Sequence, residues 1–246
     1  MALLKVLLLL GLGVSVNSAV SLQKRIIGGE NCDDTERLYH VRLESSQGKA
    51  KIRCGGSLIH PEWILTAAHC WNKKPGWTNS AISKVHPQSA GQQVLVIRSE
   101  TVTFQGHDIL LLKLQTPVTG VPLARLPDCN NRLNIGDIIQ LGGEGGTTGG
   151  SNDYRLQDPI LPAHLQCVNM KVALVYQDHQ TYGHVFYVSE KNKDICYGDA
   201  GGAAVHNGMI YGVISFGGPD FVCRTPAMIM DVCRYEAWIK QTTGLI

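Results

Sequence analysis

Eight cysteines, all of them after residue 25 of a 246-residue chain, constrain this sequence more than any other feature. What they do depends on the compartment. The chain opens with Lys5, then the apolar run Val6–Val16, then Asn17-Ser18-Ala19. That is the layout of a secretory signal peptide over residues 1–19 with a small-residue cleavage site. The apolar run is shorter than the roughly 20 residues of a membrane helix, and no later segment is longer. An even number of cysteines in an exported chain reads as a disulfide framework. The sequence is therefore expected to be secreted, extracellular and not membrane-bound. Metal is not expected. There is no C-x-x-C pair, and His179 and His184 are five apart, a poor spacing for joint ligation. No cofactor motif appears.

The formal charge of +2 belongs to the whole chain. Lys5, Lys24 and Arg25 precede a dibasic boundary, and without them 19 basic residues face 20 acidic ones, a net charge of −1. A globally basic footprint for nucleic acid is absent. Tyr39–Ser45 alternates apolar and polar residues, the period of a half-buried strand. Val94–Phe104 is rich in β-branched residues. Asp108–Leu114 and Met209–Phe216 are nearly continuous apolar runs, expected to be buried strands. Only Arg234–Thr242 has the pattern of a helix, with Tyr235, Trp238, Ile239 and Thr242 on one face and Gly244 beyond. Gly142–Asn152 reads as a surface loop. These elements predict an all-β protein with a C-terminal helix.

Four separated motifs then coincide. RIIGG (Arg25–Gly29) follows the basic pair. LTAAHC (Leu65–Cys70) sets His69 beside a cysteine. HDILLLKL (His107–Leu114) carries Asp108. GDAGG (Gly198–Gly202) comes last. In order and spacing they resemble the trypsin-like serine proteases over residues 26–246. The resemblance implies two packed six-stranded antiparallel β-barrels, the first over about 26–130 and the second over about 131–234. A C-terminal helix over about 234–243 follows. It also implies an activation propeptide at 20–25, cut after Arg25 by another protease.

Further roles follow from the same resemblance. His69 would be the general base and Asp108 its orienting carboxylate, with Ser215 donating to Asp108. The oxyanion hole would use the backbone N–H groups of Gly198 and Ala200. Cleavage would free the Ile26 amine to pair with Asp199. Asp194, Ile195, Ser215, Phe216, Gly217 and Ala227 would line the specificity pocket. The disulfides would be Cys32–Cys167, Cys54–Cys70, Cys129–Cys233 and Cys196–Cys223.

The departures are as telling. Ala200 stands where the family keeps its nucleophilic serine, and a methyl group has neither lone pair nor proton. Ile195, Ala203 and Ala227 replace residues that are usually smaller or different, and Phe216 replaces a tryptophan. The expectation is an inactive homologue that acts as a binding or regulatory protein. It would be a monomer that takes a protein or peptide partner at its cleft or surface loops. Two other readings fit the sequence: an Arg/Lys-specific endopeptidase whose serine was replaced by engineering, and a structural or storage protein. Lys49, Lys51 and Arg53 alternate along one segment and form a candidate exosite; lysines that merely protect a strand edge are the plainer account of them.

Overall fold

The computed structural model describes residues 26, 28–145, 163–215 and 226–246. The leader, Arg25, Phe216, Gly217, Cys223 and the stretch 146–152 of the predicted loop lie outside the described residues.

Fourteen strands and one α-helix are formed by the described residues. They are β1 (Glu30–Asn31), β2 (His40–Gln47), β3 (Ala50–His60), β4 (Trp63–Thr66), β5 (Thr78–Ser83), β6 (Gln93–Leu95), β7 (Ile97–Thr103) and β8 (Leu110–Leu114). Then come β9 (Ile138–Gly143), β10 (Gln166–His179), β11 (Gly183–Ser189), β12 (Ala203–His206), β13 (Met209–Ser215), β14 (Ala227–Asp231) and α1 (Val232–Thr243). They build two antiparallel sheets, ordered β6-β5-β2-β3-β4-β8-β7 and β1-β10-β11-β14-β13-β12-β9.

Each sheet has seven strands where six are expected, and both extra strands have a simple origin. The β-branched run predicted over 94–104 is split at Val96 into β6 and β7. Its first part pairs with β5 and its second with β8, so one run closes the first barrel. In the second sheet β9 also pairs with β10, which closes a six-stranded ring. The two-residue β1 is added outside it, Glu30 opposite Cys167.

The local patterns explain the strands. In β2, Val41, Leu43 and Ser45 point inward and the intervening residues are half-exposed. The apolar run of β8 is buried on both sides, with Leu110, Leu111, Leu112 and Leu114 at most 1 % exposed. Each such side chain contributes about 1.5–3 kcal/mol by leaving water. The glycine-rich segment departs from the expected loop at its start, because Gly142 and Gly143 are the last residues of β9.

The ends of the chain are exchanged between the barrels. The N-terminal strand β1 belongs to the second sheet, although the sequence reading assigned residues 26–130 to the first barrel. The bridge between Cys32 and Cys167 fastens it there. The helix α1 follows the second barrel, yet Tyr235 and Ile239 are buried in the apolar cluster that holds Leu110–Leu112 of the first. Phe104 meets Tyr235 and Trp238 edge-on at 5.3 and 5.7 Å, and Cys129–Cys233 ties the helix start to the inter-barrel segment. The helix begins two residues earlier than predicted, because Asp231 caps it by accepting from the Cys233 N–H. Its buried face is Val232, Tyr235, Ile239 and Thr243. Thr243 replaces the expected Thr242, in keeping with i, i+3, i+4 spacing. Gly244 ends the helix in the left-handed conformation.

Tyr235 is also the polar anchor of this arm. Its hydroxyl accepts the His184 N–H and bonds His107 Nδ1, both at 2.8 Å. Tyr235→Phe keeps the ring and orphans both groups. It should lower the unfolding free energy by about 1–3 kcal/mol. Tyr176→Phe, at a half-exposed ring, should cost less than about 0.5 kcal/mol. Urea unfolding of the two variants checks this.

Candidate active site

His69 lies in a single 3₁₀ turn, Ala68–Cys70, directly after β4. The Cys54–Cys70 bridge pins that turn to β3. Asp108 lies just before β8, and its N–H donates to the Tyr182 carbonyl at 2.9 Å. The turn brings the His69 ring to it: Nδ1 is 2.8 Å from Asp108 Oδ2 and 3.0 Å from Oδ1. The His69 backbone N–H donates to Oδ1 at 2.9 Å. Ser215, the last residue of β13, donates its hydroxyl to Oδ2. Burial pushes the Asp108 carboxyl up, but the hydrogen bonds and charge of His69 and the Ser215 bond outweigh it, so the group sits below the usual carboxylate range. A carboxylate kept ionised at neutral pH can fix the Nδ1–H tautomer, which leaves Nε2 as a base.

The GDAGG segment meets the first barrel at β3 and β4. The Ala200 carbonyl accepts the Gly55 N–H from β3 at 2.7 Å, and Ala200 itself is 1 % exposed. Among the described residues the N–H groups of Gly198 and Ala200 have no hydrogen-bond acceptor. Donors of this kind can serve an incoming oxygen. Gly201 explains itself sterically: with φ +78°, a side chain there would strike the Gly55 carbonyl at 2.2 Å.

Asp199 is fully buried behind this loop. Its carboxyl accepts from the Gly145 and Cys196 N–H groups, each at 2.8 Å. Burial, opposed by these two bonds and assisted by the charges of Glu144 and Asp194, pushes it up to about 7. Ile26 is fully buried in the apolar cluster of the second barrel, alongside Ile195 and Ala227. Asp194 is nearly buried, accepts the Ile195 N–H at 2.8 Å, and is pushed up to about 6 by burial. Cys196 is disulfide-bonded, with its partner outside the described residues. Phe216 and Gly217 of the expected pocket lie outside them too. Histidine 69 and the sulfurs of Cys54 and Cys70 cluster within 4.8 Å, but the two sulfurs are bonded to each other and offer no thiolate to a metal.

The sequence reading missed one part of this site. Arg42 of β2 reaches across the seam and grips Glu144 with Nε and Nη2, at 2.7 and 2.5 Å. Glu144 is 3 % exposed. Burial raises its carboxyl, and the hydrogen bonds and charge of Arg42, with His40, bring it below the ordinary range. His40 lies 3.9 Å from the same carboxylate, and burial lowers it to about 4, so it is neutral at physiological pH. The next residue after Glu144 is Gly145, whose N–H holds Asp199. A single acid inside a glycine run was the signal in the sequence. Nothing there identified Arg42 as its partner.

Arg42→Ala would leave Glu144 buried without a counter-charge and should cost about 3–5 kcal/mol. Replacing both, Arg42→Met with Glu144→Leu, should cost less than either single change, because no charge is stranded. Urea unfolding of the three variants gives the cycle.

The described strands and the His69–Asp108–Ser215 array agree with what the chain resembles. The family model for trypsin matches residues 26–239. Trypsin of Xenopus laevis is 30% identical over 89% of this chain and 90% of its own length. Kallikrein-2 of Homo sapiens is 30% identical over 95% of each chain. The solved structure of neuropsin, a serine protease expressed in the limbic system of mouse brain, superposes with a TM-score of 0.70. It is 26% identical over 88% of this chain and 99% of its own. Two closed antiparallel barrels, a histidine and a buried aspartate in contact at their seam, and a match across nearly the whole folded chain lead to one conclusion: this protein belongs to the trypsin family of serine proteases.

Proposed function

We propose that this chain is a secreted trypsin-family protein that binds a polypeptide in its cleft without cutting it. One observation carries the reading: Ala200, buried at the seam where the frame would present a nucleophile. The base and its aspartate remain, and so do two backbone donors with no acceptor among the described residues, but the reacting atom is a methyl carbon. Among the described residues, Ser215 and Thr66 bring hydroxyls to this frame, and both are engaged. Ser215 donates to Asp108, and Thr66 donates to the Gly55 carbonyl at 2.8 Å. Removing a nucleophile from such a triad leaves only about 10³–10⁴ of acceleration over water, from binding and the oxyanion hole.

In this reading the leader over residues 1–19 directs export, and cleavage after Arg25 frees the Ile26 amine. The buried Asp199 is its natural partner. The four remaining elements of the frame then serve to hold the cleft in shape. A serine replaced by engineering is the competing account, and restoring it separates the two.

The parent should take no label from a fluorophosphonate probe, which reacts only with an activated serine. Ala200→Ser, cleaved after Arg25, should be labelled if His69, the oxyanion donors and the loop are intact. Labelling of the parent would overturn the proposal. Rapid Arg-ester turnover by the variant would instead favour an intact endopeptidase pocket.

A second outcome concerns pH. Asp199 is raised from 3.8 to about 7 in the uncleaved chain. Between these values the native state keeps a proton that the unfolded state has lost, so stability should fall as pH rises from about 4 to 7. Asp199→Asn should remove that part of the slope, and so should cleavage after Arg25. Thermal melts across this window read it out.

A further inference from the structure

We infer that the rim formed by the β2–β3 hairpin and the loop after His69 is a docking surface for an acidic peptide segment of the partner. Between Glu44 and Glu100 the chain carries seven basic residues and one acid, Glu62. Glu62 sits in the β3–β4 turn, at the opposite end of β3 from Lys51. The fold then gathers part of this charge. Lys49 lies in the hairpin turn, Lys51 pairs in register with Ser46, and Lys73 and Lys74 lie in the loop 71–77. All four are exposed. The two elements are joined: Gln47 Nε2 donates to the Pro75 carbonyl at 3.2 Å, and Ser46 and Thr78 share a hydroxyl contact at 2.9 Å.

The structure changes the membership read from sequence. Lys49 is in the turn rather than on the strand face it was expected to share. Arg53 is half-buried and bound to Glu44 across the hairpin, so its charge is spent within the protein. Lys73 and Lys74 take its place. No carboxylate in either element answers these four amines.

Continuity with the cleft selects the occupant. The loop leaves directly from His69 and Cys70. Lys51 is four residues of extended chain, about 13 Å, from Gly55, which bonds Ala200. A polypeptide lying past His69 therefore meets the rim as it leaves the cleft. This step rests on the reading that the cleft holds polypeptide, while the charge cluster stands apart from it. Such a rim speeds encounter and selects partners by charge.

The test uses fluorescein-labelled octaglutamate and the secreted protein, followed by fluorescence anisotropy at 50 and 200 mM salt. Binding should weaken with salt. Charge reversal at Lys49, Lys51, Lys73 and Lys74 together should lower affinity about tenfold, the combined worth of several exposed pairs. Reversal at Lys171 and Lys191, exposed on the second barrel, should leave it unchanged. Lys49→Gln with Lys51→Gln should give a smaller loss, and unchanged thermal melts confirm folding. Absence of octaglutamate binding by the parent, equal binding by the fourfold variant, or binding of a sulfated hexasaccharide in place of the peptide would each overturn the proposal. None of these outcomes bears on fluorophosphonate labelling, so the two readings fail separately.

Discussion

Burial of the Asp199 carboxyl behind the GDAGG loop is the constraint around which the site is organised. The group has room only because Gly143 and Gly145 lack side chains; a Cβ on either would lie 2.2–2.5 Å from its oxygens. It takes its hydrogen bonds from one residue of its own loop and one residue beyond β9. Glu144, between those two glycines, is held by Arg42 from the first barrel. A continuous path therefore runs from β2 through Arg42, Glu144, Gly145 and Asp199 to Ala200, and back to β3 through Gly55. The two carboxyl groups in this path, Glu144 and Asp199, are compensated differently. One is ionised against a guanidinium, and the other is driven toward its neutral form by burial.

This network gives the GDAGG segment a structural reason to exist apart from catalysis. Gly201 is required by its positive φ and by contact with β3. Gly202 meets the Gly142 carbonyl so closely that a Cβ would lie 2.2 Å away. Asp199 anchors the loop. The only position of the motif whose identity backbone packing leaves open is the one occupied by Ala200. An alanine there is compatible with the loop's anchoring, since the bond from the Gly55 N–H to the Ala200 carbonyl does not involve the side chain.

Much of this was legible in the sequence. His69, Asp108 and Ser215 are found together as the motifs implied, and three of the expected cysteine pairs are formed. Those signals are local and chemically distinctive. What the sequence hid depends on pairing at long range. Arg42 looked like the solvent-facing residue of an alternating strand, and only the approach of β9 from the other barrel makes it a buried partner. Arg53 looked like part of a free basic stripe until its register placed it opposite Glu44. The division of 94–104 into two strands was hidden for the same reason, because that run has different neighbours at its two ends.

The exchange of chain ends between the barrels has a consequence for biogenesis. Strand β1 waits for β10, 137 positions later in register from Glu30 to Cys167, and the core of the first barrel waits for α1. The second ring is incomplete without β14, and the first core without α1. Contacts so distant in sequence make folding slow. The two barrels thus mature as one unit, and a chain truncated before α1 loses the lid on the barrel it made first.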